Sequence, residues 1–161
     1  MVYKARTLAK EKDIDAQTIL RRNGDTILHV CSEYGQVKLF TFFATQFSAE
    51  LDIRNRLDET PFTVAAREGR INILKMYFEG YANMFNPDAR TLDGWTAFSY
   101  ACVNGFINTI EYLAERRVNI HTSDRIKRTA LHWACRFNNA KVVNTLLKLN
   151  LNIEALDRES Q

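Results

Sequence analysis

Two histidines lie close to cysteines, His29 two residues before Cys31 and His132 three before Cys135, and a histidine beside a thiol is one way a thiolate nucleophile is activated. Acidic pairs stand at Asp13 and Asp15, at Asp58 and Glu59, and at Glu154 and Asp157, residue types suited to general acid–base work. Neither pattern has the companions that chemistry needs. The three cysteines, Cys31, Cys102 and Cys135, form no CxxC pair, and their odd number fits neither a disulfide framework nor structural zinc. Gly24 and Gly94 are isolated, and no GxGxxG or GxxxxGK[ST] phosphate loop can be written. The acidic pairs fall in extended or turn segments, where solvation is expected to leave them ordinary carboxylates. No catalytic residue, metal ligand or cofactor is expected.

The elements that carry these residues are helical. The chain has 161 residues, of which 46% are apolar, with a net charge of +3. Six glycines and two prolines are about 5% of the chain, where average usage is about 12%, so a turn-dense β sandwich is disfavoured. No apolar run approaches the ~18 residues of a membrane span, and the start lacks the uninterrupted apolar stretch of a secretory signal. Free thiols fit a reducing compartment, so an intracellular, cytoplasmic setting is expected, with the nucleus left open. The small net charge, spread along the chain, argues against nucleic acid as a partner.

Sliding the chain against itself exposes a repeat. Thr26-Ile27-Leu28-His29-Val30-Cys31 recurs from Thr60, from Thr96 and, as Thr129-Ala130-Leu131-His132-Trp133-Ala134-Cys135, from Thr129; the threonines are 34, 36 and 33 residues apart. Nine positions after each comes Gly35, Gly69, Gly105 or Asn138, residues suited to a helix end with positive φ. An apolar stripe at helical spacing comes next, for example Ile73, Leu74, Tyr77 and Phe78, or Val142, Val143, Leu146 and Leu147. Asn55 and Asp124, five residues before their threonines, are placed to accept bonds from turn amides; Thr91 and Arg21 take that place in the other copies. The spacing predicts a short inner helix, a tight turn, a longer outer helix and an extended return in each unit.

These motifs resemble the ankyrin repeat, whose period of 33 and T-P-L-H-x-A core match Thr60-Pro61-Phe62 and Thr129-Ala130-Leu131-His132-Trp133-Ala134. The resemblance covers residues 21 to 157, though Arg21 replaces the turn Asp and Thr63 and Ser99 replace the histidine. It implies an all-α solenoid of stacked helix-turn-helix units with β-turn or hairpin tips. The expected division is a partial repeat over 1–22, repeats over 23–55, 56–90, 91–123 and 124–156, and the start of another at 157–161. Val2 to Glu11 would be a shortened outer helix of the partial repeat, and the array is expected to be a segment of a larger protein. The histidines would bond their threonine and the neighbouring turn, and the cysteines would replace small buried alanines of the inner helices.

The resemblance also implies a non-enzymatic protein-interaction module that binds a partner on its concave face and turn tips. Register places Arg22, Asp25, Glu33 and Tyr34 there from the first copy, and Arg56, Leu57, Glu59, Arg67 and Glu68 from the second. The third supplies Leu92, Asp93, Trp95, Val103 and Asn104, and the fourth Arg125, Ile126, Arg128, Arg136 and Phe137. The fourth set has three arginines, two apolar side chains and no acid, which points to an acidic, partly apolar protein or peptide. Two alternatives stand: an array packed inside a larger chain or assembly, and binding of an anionic polymer through Arg125, Lys127, Arg128 and Arg136. Residues 83–91, about three longer than a standard unit, form an enlarged loop that could reach a partner.

Overall fold

The computed structural model describes residues 18, 20–46 and 50–149. Helices alternate in length among them: α1 (Ile27–Glu33), α2 (Val37–Gln46), α3 (Pro61–Arg67), α4 (Ile71–Gly80), α5 (Ala97–Val103), α6 (Ile107–Glu115), α7 (Ala130–Arg136) and α8 (Ala140–Lys148). The expected partial repeat before residue 18 and the start of a repeat after Asp157 lie outside the described residues.

Each seven-residue inner helix starts where a threonine in extended conformation, Thr26, Thr60, Thr96 or Thr129, caps it. Thr63 and Ser99 donate their backbone N–H groups to the cap hydroxyls. Each stops at the expected place, because Gly35, Gly69, Gly105 and Asn138 all have positive φ. Helices this short are marginal alone, so packing must hold them. The inner helices α1, α3, α5 and α7 lie side by side in chain order, and each outer helix packs on its own inner helix. Leu28, Phe62 and Phe98, two residues after their threonines, fill the seam with Ile73, Leu74, Tyr77, Ile110, Leu113, Val142 and Leu146 from the outer helices, all buried.

The extended returns meet at their tips. Asn55 Oδ1 accepts the N–H groups of Leu57 and Glu59, and Asp124 Oδ1 those of Ile126 and Arg128, as the turn reading expects. One backbone bond joins each tip to the next: Arg56 N–H to Asn23 O (2.8 Å), Leu92 N–H to Leu57 O (3.0 Å) and Arg125 N–H to Asp93 O (3.1 Å). A second line of bonds runs behind it, from Arg54 to the carbonyl of Arg90 and from Arg90 to the carbonyl of Ser123. Two residues before each threonine the backbone is left-handed, at Gly24, Asp58, Gly94 and Lys127. At Gly24 and Gly94 the next tip is so close that an added Cβ would lie 3.0 and 3.1 Å from the amide nitrogens of Arg56 and Arg125.

One expectation is corrected. Cys31 and Cys102 are buried, but Cys135 is exposed. Ser32, Ala66 and Cys102, at the same register position as Cys135, are covered by the next inner helix, and no described helix covers α7 on that side. The enlarged loop packs back onto the array through Phe85. Phe85 lies 4.8 Å from the rings of Phe62 and Tyr77 and 5.4 Å from Phe78, centroid to centroid, and Asn86 N–H bonds to Asp52 while Asp88 accepts from Asn119 N–H. Met84 alone of its neighbours in the loop is a large exposed apolar side chain.

Urea unfolding of two pairs of variants tests this stacking. Gly94→Ala costs at least about 1–2 kcal/mol, the left-handed penalty for a residue with a Cβ, whereas Lys127→Gly raises stability by up to about 1 kcal/mol after the entropic cost of glycine. Phe85→Ala costs about 3 kcal/mol, the lower end for truncating a phenylalanine because the ring is half-buried, while Met84→Ala stays within about 0.5 kcal/mol.

Candidate functional site

The inner-helix positions four, seven and eight residues after each threonine are three and four apart and share one face, the face turned away from the outer layer. In the first two copies the charges there are engaged within the chain. Arg21 pairs with Glu33 and, at 3.5 Å, with Asp25, and lies 6.0 Å above the Tyr34 ring. Arg70 Nε–H donates to Glu33 O. Asn55 Nδ2 donates both to Asp25 and to Glu59, at 2.8 and 2.9 Å, so one amide bridges two carboxylates. Glu59 also accepts from Arg67 at 2.6 Å and from the Tyr100 hydroxyl at 3.1 Å, and Arg67 reaches Glu68. Asp25 and Glu59 are 4% and 1% exposed. Both were expected on the open face, and Glu59 among solvated carboxylates; in these two copies the residue before the threonine instead points between copies.

The third and fourth copies differ. Tyr100, Trp95 and Trp133 form a ladder with centroids 5.2 and 5.0 Å apart, and Phe137 stacks on Trp133 at 5.9 Å and 17°. Arg128 and Arg136 sit 5.4 and 6.0 Å from the centre of the Trp133 ring. Asp124 Oδ2 accepts the Trp133 indole N–H at 3.0 Å while Oδ1 holds the turn, so one carboxylate fixes both the tip and the ring. A cleft of about 420 Å³ opens here, lined by Asp93, Trp95, Tyr100, Asp124, Arg125, Ile126 and Trp133. A larger and more open hollow of about 820 Å³ lies on the outer helices between α2 and α4, beside Val37, Thr41, Lys75, Met76 and Tyr81.

Of the expected contact residues, the cleft gathers Asp93, Trp95, Arg125 and Ile126, with Arg128, Arg136 and Phe137 along Trp133. Arg22, Tyr34, Arg56, Leu57, Leu92 and Asn104 are exposed elsewhere on the tips and helix ends, and Val103 is half-buried. Asn104 Nδ2 donates to Arg67 O. Sequence reasoning passed over Tyr100, Trp133 and the acid Asp124 in this group. Helical spacing could have found the first two: Trp133 is three and four residues before Arg136 and Phe137, which makes it their neighbour on the same face.

The histidine and cysteine positions are built for structure. Thr26 N–H donates to His29 Nδ1 at 3.2 Å, which puts the ring proton on Nε2, 3.0 Å from Glu59 O. His29 thus ties the first copy to the second tip. Burial pushes the Cys31 thiol up to about 12 and that of Cys102 higher still, opposite to what a nucleophile needs.

A family model for ankyrin repeats, in three copies, matches residues 64–157. The chain belongs to the ankyrin-repeat family. Ankyrin repeats are protein-interaction modules, and the family is generally non-enzymatic. Neurogenic locus notch homolog protein 1 of Xenopus laevis is 25% identical over 131 residues, covering 81% of this chain and 5% of that protein. The putative E3 ubiquitin-protein ligase XBAT31 of Arabidopsis thaliana is 29% identical over 136 residues, 76% of this chain and 29% of the ligase. The tyrosine-protein kinase Shark of Drosophila melanogaster is 30% identical over 87 residues, 52% of this chain and 9% of the kinase. The chain spans a small part of each of these relatives.

The ankyrin histidine gives a pH prediction. Burial lowers the pKa of His29 from its ordinary 6.5, against the raising effect of its bond to Glu59 O and of the Asp25 and Glu59 carboxylates, with Arg67 adding to the lowering. The unfolded chain therefore binds the proton more readily than the fold does. The contribution is fully present above about pH 6.5 and is lost as pH falls toward the lower folded value. Urea midpoints at pH 7.5 and 5.5 should separate more for the natural chain than for His29→Thr, the residue that the second copy carries; equal separations contradict this.

Proposed function

We propose that this ankyrin array is a non-enzymatic docking platform whose contact surface is the concave face of the third and fourth copies. Its ligand is an acidic, partly apolar segment of another protein. The observation that carries this reading is the Trp95–Tyr100–Trp133 cleft with Arg125 and Arg136 beside it, set against first and second copies whose acids are already engaged by Arg21, Arg67 and Asn55. Aromatic side chains and arginine are the residues enriched at binding hot spots. An arginine stacked on an indole keeps its N–H donors along the plane edge, where a carboxylate can meet them. The cleft is held by tip bonds and by Asp124, so little ordering entropy is lost on binding.

We further propose that the array serves a longer chain by positioning whatever is joined to it. Support comes from the relatives, in which the matching segment is 5% to 29% of a larger protein. An intracellular location is part of the same proposal, since Cys31, Cys102 and Cys135 are free thiols.

A synthetic peptide alternating Glu with Leu and Phe, titrated against the chain and followed by tryptophan fluorescence, tests the surface. Both tryptophans of the chain line the cleft. The double variant Arg125→Glu, Arg136→Glu is expected to weaken binding at least about tenfold, while Lys38→Glu on α2 changes it less than about twofold. Unchanged affinity in the arginine variant contradicts the reading. A steep loss of affinity for single-stranded nucleic acid between low and moderate salt, with no binding of the peptide, would instead favour an anionic polymer.

A further inference from the structure

The aromatic ladder of the cleft is held at both ends by a carboxylate. At one end Asp124 accepts the Trp133 indole N–H at 3.0 Å. At the other, Glu59 accepts the Tyr100 hydroxyl at 3.1 Å. Between them Trp95 lies against both rings, 5.2 Å from Tyr100 and 5.0 Å from Trp133, centroid to centroid. Register explains the second anchor. The residue before the threonine of one copy meets the residue four places after the threonine of the next, so Trp95 meets Trp133 and Glu59 meets Tyr100. The same contact is a pair of rings at one junction and a charge-assisted hydrogen bond at the other.

Glu59 is built to hold a ring in place. It is 1% exposed and lies outside the cleft lining, so a ligand in the cleft does not touch it. Its Oε1 accepts from Arg67 at 2.6 Å as well as from Tyr100, while Oε2 accepts from Asn55 Nδ2 at 2.9 Å. The backbone is tied too: the carbonyl accepts from His29 Nε2, and the N–H donates to Asn55 Oδ1. The guanidinium that Oε1 grips lies 6.0 Å from the centre of the Tyr100 ring. One carboxylate therefore fixes the Tyr100 hydroxyl and the cation over its ring. Burial, and after it the Glu59 charge, push the Tyr100 hydroxyl above the ordinary tyrosine range, which keeps it protonated and donating.

We infer that Glu59 is a positioning residue of the cleft: by holding the Tyr100 hydroxyl it sets where the Tyr100 and Trp95 rings stand, so the second copy shapes a site whose walls belong to the third and fourth. The inference rests on the concave-face reading above and adds a residue outside the cleft that controls it. Charge alone predicts the opposite sign, because removing a carboxylate from behind the cleft would let an acidic ligand bind more tightly.

A double-mutant cycle on the full 161-residue chain tests it, with the Glu, Leu and Phe peptide as probe and the two indole N–H signals as a second readout. Tyr100→Phe removes one hydroxyl and leaves Glu59 its bonds to Arg67 and Asn55; Glu59→Ala removes the acceptor. Each is expected to weaken peptide binding about threefold to tenfold. The double variant is expected to stay within about twofold of the weaker-binding single variant, since both changes break one bond. Glu59→Ala also moves the Trp95 indole signal, and moves it no further once Tyr100→Phe is in place. Tighter binding in Glu59→Ala, single effects that add in the double variant, or a Trp95 signal that stays still overturns the positioning role. Where Glu59→Ala lowers the unfolding midpoint too far for titration, Tyr100→Phe decides by itself: unchanged affinity with an unmoved Trp95 signal overturns the proposal. If the peptide binds Arg125→Glu, Arg136→Glu as well as the natural chain, the concave-face reading falls, and the Trp95 signal still decides the role of Glu59.

Discussion

One backbone hydrogen bond per junction, from the amide of one turn tip to the carbonyl of the tip before it, sets the spacing on which the rest of the molecule depends. The bond requires the tips to approach to within contact, which is why glycine stands at Gly24 and Gly94 and why Asp58 and Lys127 accept a left-handed backbone in the same register. It fixes the distance between inner helices, and with it the seam that Leu28, Phe62 and Phe98 fill. Every unit then presents the same positions to the concave side. The chemistry of that side is decided by which side chains occupy them.

Occupancy differs sharply between the two halves of the array. In copies one and two, Arg21 is matched to Asp25 and Glu33 and Arg67 to Glu59 and Glu68, and the two least exposed carboxylates among the described residues, Asp25 and Glu59, share the amide of Asn55. Burying such groups costs free energy unless each is paired and bonded, and here each is. The network joins the first three copies, since Glu59 accepts from Tyr100 on α5. Beyond Tyr100 the concave face changes from internally paired charge to stacked aromatic rings with arginines at their edges. The polar half acts as a brace, and the aromatic half offers surface.

Much of this was legible in the sequence, because the array is one unit written repeatedly. The threonine cap, the positive-φ residue nine places on and the turn acceptor five places before each arise from local geometry, and Asn55 and Asp124 perform the turn role their position implies. Contacts between distant residues were less legible. That Asp25 and Glu59 turn inward depends on Asn55 standing 30 residues beyond Asp25. The exposure of Cys135 depends on whether another inner helix packs against α7, and the docking of Phe85 on a gap among Phe62, Tyr77 and Phe78 that no local pattern announces. Trp133 and Tyr100 were missed for a different reason: they sit inside the inner-helix motif, where a bulky residue reads as core unless the helical face is traced through to Arg136 and Phe137.

Nuclear magnetic resonance of the chain during titration with an acidic, leucine-bearing peptide tests the central claim most directly, because its two tryptophans give two indole N–H signals from one cleft. The Trp133 indole donates to Asp124, so its signal also reports whether tip four keeps its geometry. The account predicts that both indole signals shift together with amides of Leu92 to Trp95 and Arg125 to Ile126, while the paired charges around Arg21 and Glu33 stay still. Shifts centred on the outer-helix hollow beside Thr41 and Met76, with unmoved indoles, would contradict it.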